Sequence, residues 1–154
     1  MEFSSNLSLL IRERRVVRQN VLAKKIYGLG DCTRQRRIRR LINGVVRPTL
    51  DDVINYASVL GVNASELAFG SDGVFTPYVD VQNRFRANMR LFKTKYTSES
   101  LAQMLYPYKK IIDYNDVRKL DRLISGYTRP KLDDIQNLAD GLGVHPGKLS
   151  FGVL

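Results

Sequence analysis

The chain has 154 residues, 44% of them hydrophobic, with a formal net charge of +10 and a pI of about 9.9. That balance excludes a disordered chain, and no apolar run reaches the roughly 20 residues that a membrane span needs. A single cysteine, Cys32, and a single histidine, His145, exclude an intrachain disulfide framework and leave little for metal or nucleophilic chemistry.

Leu7, Leu10, Ile11, Val16 and Val17 predict an amphipathic first helix from Leu7 to about Arg18, with Arg12, Glu13, Arg14 and Arg15 filling the gaps. Gln19 to Tyr27 (QNVLAKKIY) predicts a short second helix, closed by Gly28 and Gly30. Thr33 is placed to cap a third, TRQRRIRRLIN, which Gly44 ends. Its apolar stripe is Ile38, Leu41 and Ile42. Five arginines fall between Arg34 and Arg40 with no acid among them. After the turn at Arg47-Pro48, Thr49 with Asp52 has the pattern of a capping box. It opens a fourth helix whose apolar face is Leu50, Val53, Ile54, Ala57 and Leu60 and which Gly61 stops. Asn63 with Glu66 repeats the device for a fifth, ASELAF.

Ser71 to Pro77 reads as a short linker. Asp80 to Tyr96 then predicts a helix with Phe85, Met89, Phe92 and Tyr96 at helical spacing, and Thr97 caps another (SESLAQMLY). A long connection, Pro107 to Tyr114, precedes a helix from Asn115 to Ser125. Leu132 to Leu142 forms the next, and His145-Pro146 opens a last short helix ending near Phe151. No stretch has the alternation of a strand.

The two halves are one pattern written twice. Arg36 to Gly70 (RRIRRLINGVVRPTLDDVINYASVLGVNASELAFG) returns 82 positions later, without a gap, as Arg118 to Gly152 (RKLDRLISGYTRPKLDDIQNLADGLGVHPGKLSFG). About half of these positions are identical, and most apolar positions match in kind. The repeat divides the chain into residues 1–70, a linker at 71–77, and residues 78–154.

LINGVVRPTLDDVINYASVLGVNASEL and LISGYTRPKLDDIQNLADGLGVHPGKL, preceded by Leu22-Ala23 and Leu101-Ala102 on the second helix, resemble the helix-turn-helix domains of phage repressor and Cro proteins. The resemblance covers nearly the whole chain, twice. It implies an all-α protein of two tandem five-helix lambda-repressor-like DNA-binding domains. It implies base contacts in the major groove from Gln35, Arg36, Arg39 and Arg40 of the first copy and from Val117, Arg118 and Arg122 of the second. It implies phosphate contacts at Gln19, Arg34, Arg37, Asn43 and Arg47, and at Ser98, Lys119, Ser125 and Arg129. Arginine can grip guanine O6 and N7 with two hydrogen bonds, glutamine can do the same at adenine N6 and N7, and a valine can meet a thymine methyl. The chain departs from the family between helices two and three. Gly28–Cys32 in the first copy and the Tyr106–Tyr114 region in the second lengthen what is a tight turn in the family.

The function expected is a sequence-specific double-stranded DNA-binding transcriptional regulator of the repressor kind, reading an asymmetric bipartite operator. Asp116 and Asp121 partly cancel the basic field of the second copy, so the first is expected to be the stronger reader. One chain acts as a pseudo-dimer in this reading, with a homodimer left open, and RNA polymerase or a regulatory protein as a further partner. The reading from another class is a protein-interaction module, such as an antitoxin, inhibitor or co-repressor. No enzyme activity, cofactor or metal is expected, and the absence of a signal-like start points to the cytoplasm. Asp51-Asp52 and Asp133-Asp134 read as first-turn residues favoured by the helix dipole, Cys32 as an inert thiol and His145 as a cap. Tyr106, Tyr108 and Tyr114 with Lys109 and Lys110 read as packing of a long loop, against the alternative of stacking on RNA or single strands.

Overall fold

The computed structural model describes residues 2–13, 19–28, 30–70 and 81–152, and all its regular elements are helices. The chain divides into two compact units, Met1–Asp72 and Gly73–Leu154. In the first lie α1 (Glu2–Glu13), α2 (Gln19–Tyr27), α3 (Cys32–Ile42), α4 (Leu50–Leu60) and α5 (Ala64–Phe69). In the second lie α6 (Val81–Lys93), α7 (Ser98–Leu105), α8 (Tyr114–Ser125), α9 (Leu132–Leu142) and α10 (Pro146–Phe151). The expected linker Ser71–Pro77, the start at Asp80 of the sixth predicted helix and the segment Arg14–Arg18 lie outside the described residues. No described helix is long and apolar enough to cross a membrane.

Local chemistry sets most boundaries. Thr49 and Asp52 form the capping box: the Thr49 hydroxyl accepts from the Asp52 amide at 3.3 Å, and the Asp52 carboxylate accepts from the Thr49 amide at 2.9 Å. Asn63, Thr97 and His145 cap α5, α7 and α10, the last with Nδ1 accepting from the Gly147 amide at 3.1 Å. Gly44, Gly61, Gly126 and Gly143 adopt positive φ at helix ends, where an L side chain would be strained.

Several boundaries differ from expectation: α6 ends at Lys93, short of Tyr96, α8 begins at Tyr114 and not Asn115, and the starts of α3 and α1 move for identifiable reasons. The cap of α3 is Asp31, whose carboxylate accepts from the Arg34 amide at 2.8 Å, and Thr33 sits inside the helix. Asp31 wins because it stands at the position whose side chain reaches the third amide of the helix, and a charged acceptor also favours the positive end of the dipole. The first helix begins at Glu2, well before Leu7, because Phe3 belongs to its buried stripe together with Leu7.

That stripe extends the 82-residue period to the start of each unit. Phe3 and Leu7 are buried in one, Phe85 and Met89 in the other. Phe3 meets Tyr56 of α4 edge to face, with centroids 6.2 Å apart. Leu22, Ile38, Leu41, Leu50 and Val53 complete the first core, and Leu101, Leu105, Leu120, Ile135 and Leu138 the second.

One polar residue in each stripe ties the first helix of a unit to its last. Asn6 Nδ2 donates to the carbonyls of Glu66 and Leu67 at 3.2 and 3.3 Å. Asn88, 82 positions on, donates to those of Lys148, Leu149 and Gly152 at 3.4, 3.0 and 3.0 Å. The last carbonyls of a helix run out of partners within it, and at Leu67 and Leu149 an asparagine side chain supplies one. Asn88 is buried, so Asn88→Ala leaves acceptors unsatisfied and should cost about 1–3 kcal/mol. Denaturant unfolding should show a clear drop for N88A and a smaller one for N6A, whose contacts are longer and more exposed. An unchanged midpoint in N88A would contradict the clamp.

Candidate nucleic-acid interface

The setting of α3 follows from two side chains. Ile38 and Leu41 are completely buried, which fixes the rotation of the helix about its axis. At 100° per residue, Arg36, Arg40 and Asn43 must then lie on the far side. They are exposed, as is Arg39, and Arg36, Arg39 and Arg40 enter no ion pair with any described residue. The result is a concentrated positive face with no counterion among the described residues.

The other polar residues of α3 have local partners. Gln35 is half-buried, and its Nε2 donates to the Gly30 carbonyl at 2.7 Å, bracing the connection from α2. The Arg34 guanidinium lies 5.2 Å from the centre of the Tyr27 ring. Arg37 points to α4, where its Nη2 meets both carboxylate oxygens of Asp52 at 3.0 and 2.9 Å. Burial works against the Arg37 charge, but the hydrogen bond and the charge of Asp52 outweigh it and hold its pKa above the ordinary arginine value. Asp52 is therefore shared between the α4 cap and Arg37. Nearby, burial and Tyr27 raise the pKa of the Tyr56 phenol, which stays neutral with its hydroxyl 3.5 Å from that of Tyr27. Gln19 is half-buried as the first residue of α2, Asn43 ends α3, and Arg47 is exposed in the following turn.

In the second unit Leu120, Leu123 and Ile124 are buried and set α8 in the same way. Arg118 and Arg122 are exposed, and Val117 is half-buried. The Lys119 ammonium lies 5.7 Å from the centre of the Tyr106 ring, and Tyr106 stands 79 positions after Tyr27, the offset that also relates Leu22-Ala23 to Leu101-Ala102. Ser125 Oγ donates to the Asp121 carbonyl at 2.6 Å, Ser98 opens α7 half-buried, and Arg129 is exposed after α8.

Each of the two acids of α8 has a local partner. Asp116 is buried and forms a capping box with Asp113. Asp121 pairs with Lys93 of α6 at 2.6 Å. Lys109 joins both Asp113, at 2.9 Å, and Asp116. The hydrogen bonds that the Lys109 ammonium donates to Asp116 and Asp113 raise its pKa, and Lys109 in turn lowers that of Asp113. The acids thus meet neighbouring lysines and leave Arg118 and Arg122 as the exposed cations of the outer face.

The signal for these pairings is present in the sequence only through the period. Asp31 and Asp113 cap equivalent helices 82 positions apart, while nothing local distinguishes Arg37 from Arg36 until the buried face is known. Among the described residues no group of acids, histidine and cysteine could hold a metal. No protein-family model matches the chain, and no curated protein or solved structure matches it either.

The division of α3 into an inner and an outer arginine has a measurable consequence. Asp52→Ala removes both a cap and the partner of a part-buried guanidinium, a loss of about 2–3 kcal/mol after allowing for the exposure of Arg37. Arg36→Ala removes nothing that the fold uses and should leave stability within about 0.5 kcal/mol. Thermal or denaturant unfolding of the two variants separates these outcomes. Equal losses in both would mean that the outer arginines are also structural.

Proposed function

We propose that the chain binds double-stranded DNA in a sequence-specific manner and regulates transcription as a repressor, each unit acting as a helix-turn-helix domain. The observation that carries this reading is the outer face of α3. Arg36 and Arg40 stand one turn apart, exposed and without counterions among the described residues, beside Arg39 and Asn43. An α-helix fits the major groove, and arginines one turn apart on such a helix can reach successive base edges while neighbouring groups hold phosphates. The net charge of +10 supplies long-range attraction to a polyanion.

Three features of the chain support the mode of action. The connections before α3 and α8 are longer than the family's tight turn, but both are braced by side chains, Gln35 in one and Gln103 with Lys109 in the other. The outer faces of α3 and α8 differ in sequence, so two identical half-sites would not suit both, and the operator is asymmetric. Two reading units on one chain raise each other's effective concentration and let a single chain occupy a bipartite site. The first unit, with more uncompensated arginines, contributes more of the affinity.

The test is selection of duplex DNA from a random pool, followed by binding measurements over a range of salt. Arg36→Ala and Arg40→Ala should each lose about 1–3 kcal/mol of discrimination on the selected site. Arg47→Ala should weaken all duplexes alike and lower the salt slope by roughly one unit. Failure to enrich any sequence, or wild-type binding by R36A and R40A, would overturn the reading in favour of a protein-interaction module.

A further inference from the structure

The second unit carries a surface that the first lacks. Between Tyr106 and the cap Asp113 stand six residues, against three between Tyr27 and Asp31. The longer segment is held in place at several points. Gln103 Nε2 donates to the carbonyls of Tyr106 and Lys109 at 3.3 and 2.9 Å, the Lys109 amide donates to the Tyr106 carbonyl at 3.0 Å, and the Lys109 ammonium is tied to Asp113 and Asp116.

On this fixed frame sit side chains that the core does not use. Tyr108 is 97% exposed, Ile111 79% and Tyr114 77%. Lys110 is exposed too, and unlike Lys109 it enters no ion pair with a described residue. Single exposed apolar residues are ordinary, but two tyrosines and an isoleucine within seven positions on a braced segment form a surface. Tyr114 is the first residue of α8, and Arg118 and Arg122 follow it at intervals of four. All three are exposed, so the tyrosine heads the same outer face as the two arginines. At the equivalent place on α3 stands Cys32.

We infer that the segment Tyr106–Asp113, with Tyr114, is a rigid arm that grips the sugar-phosphate backbone of the duplex bound by α8. This inference rests on the DNA reading above. Charge favours that occupant: Lys110, like Arg118 and Arg122, is an exposed cation with no ion-pair partner among the described residues, while Asp113 and Asp116 are already joined to Lys109. In the arm, Lys110 meets a phosphate, the tyrosine hydroxyls donate to phosphate oxygens, and the rings and Ile111 cover sugar and thymine methyl groups. Because the arm is braced before binding, little conformational entropy is lost when it engages. The arm supplies contacts to a helix with fewer arginines than α3.

The test uses the full chain and the duplex selected by it. The variant Y108A/K110A/Y114A should bind that duplex about tenfold more weakly, with an unchanged circular dichroism spectrum and thermal unfolding. Lys110→Ala alone should lower the salt slope by about one unit. The chain contains no tryptophan, so in Y108W the indole reports on the arm alone, and its emission should change at the duplex concentration that saturates binding. Wild-type affinity in the triple variant, or silent emission from Y108W, overturns the arm. So does a loss confined to the single strand of the same sequence, which would make the surface a base-stacking platform. R36A and R40A measured in parallel separate the two readings. A loss in those variants with none in the triple variant overturns the arm and leaves DNA binding standing; no duplex affinity in the wild-type chain overturns both.

Discussion

The burial of Ile38 and Leu41 constrains everything that α3 can present to a partner. Fully burying one such side chain is worth about 1.5–3 kcal/mol, whereas an exposed ion pair contributes about 0–1 kcal/mol. Rolling the helix to give Arg36 or Arg40 an internal counterion would expose apolar surface at a net loss. The helix therefore keeps its setting, and the outer arginines keep their uncompensated charge. The same constraint holds in α8, where Leu120, Leu123 and Ile124 are buried and Arg118 and Arg122 face outward.

Within this setting, residues of one type have different roles. Arg37 and Arg36 are adjacent and chemically identical, yet one joins α3 to the capped end of α4 through Asp52 and the other enters no ion pair with a described residue. Asp52 couples the angle of the basic helix to the start of the next, so the presenting surface is held by the same carboxylate that begins α4. The second unit reaches a similar end with different groups. Lys119 lies over the Tyr106 ring, and Lys109 bridges two acids at the start of α8.

Much of the helical framework was legible because its signals are local. Thr49 with Asp52, Thr97 before SESLAQML and Gly61 after Leu60 each act within one turn of the chain. Other features were hidden because their partners are distant or depend on rotation. Asn6 and Asn88 look like ordinary polar residues on amphipathic helices, and their acceptors lie at least 60 residues away along the chain. Phe3 stands among Ser4, Ser5, Asn6 and Ser8, which dilute the periodicity, so the sequence pattern starts the first helix only at Leu7. The sequence gives the charges of Asp116 and Asp121 but not their neighbours, which are Lys109 and Lys93. Tyr114 reads in the sequence as the end of a loop, and only the Asp113 cap places it on the outer face of α8.

In the proposed function the outer faces of α3 and α8 meet DNA, and α5 and α10 stand apart from it. Nuclear magnetic resonance of the isotope-labelled chain, titrated with its selected duplex, tests this most directly by resolving the arginine side-chain signals individually. The account predicts that the guanidinium signals of Arg36, Arg40, Arg118 and Arg122 shift on binding while that of Arg37 stays in place, with amide changes concentrated along Cys32–Gly44 and Tyr114–Gly126. Shifts gathered instead on α5 and α10, with the outer arginines unmoved, would contradict it.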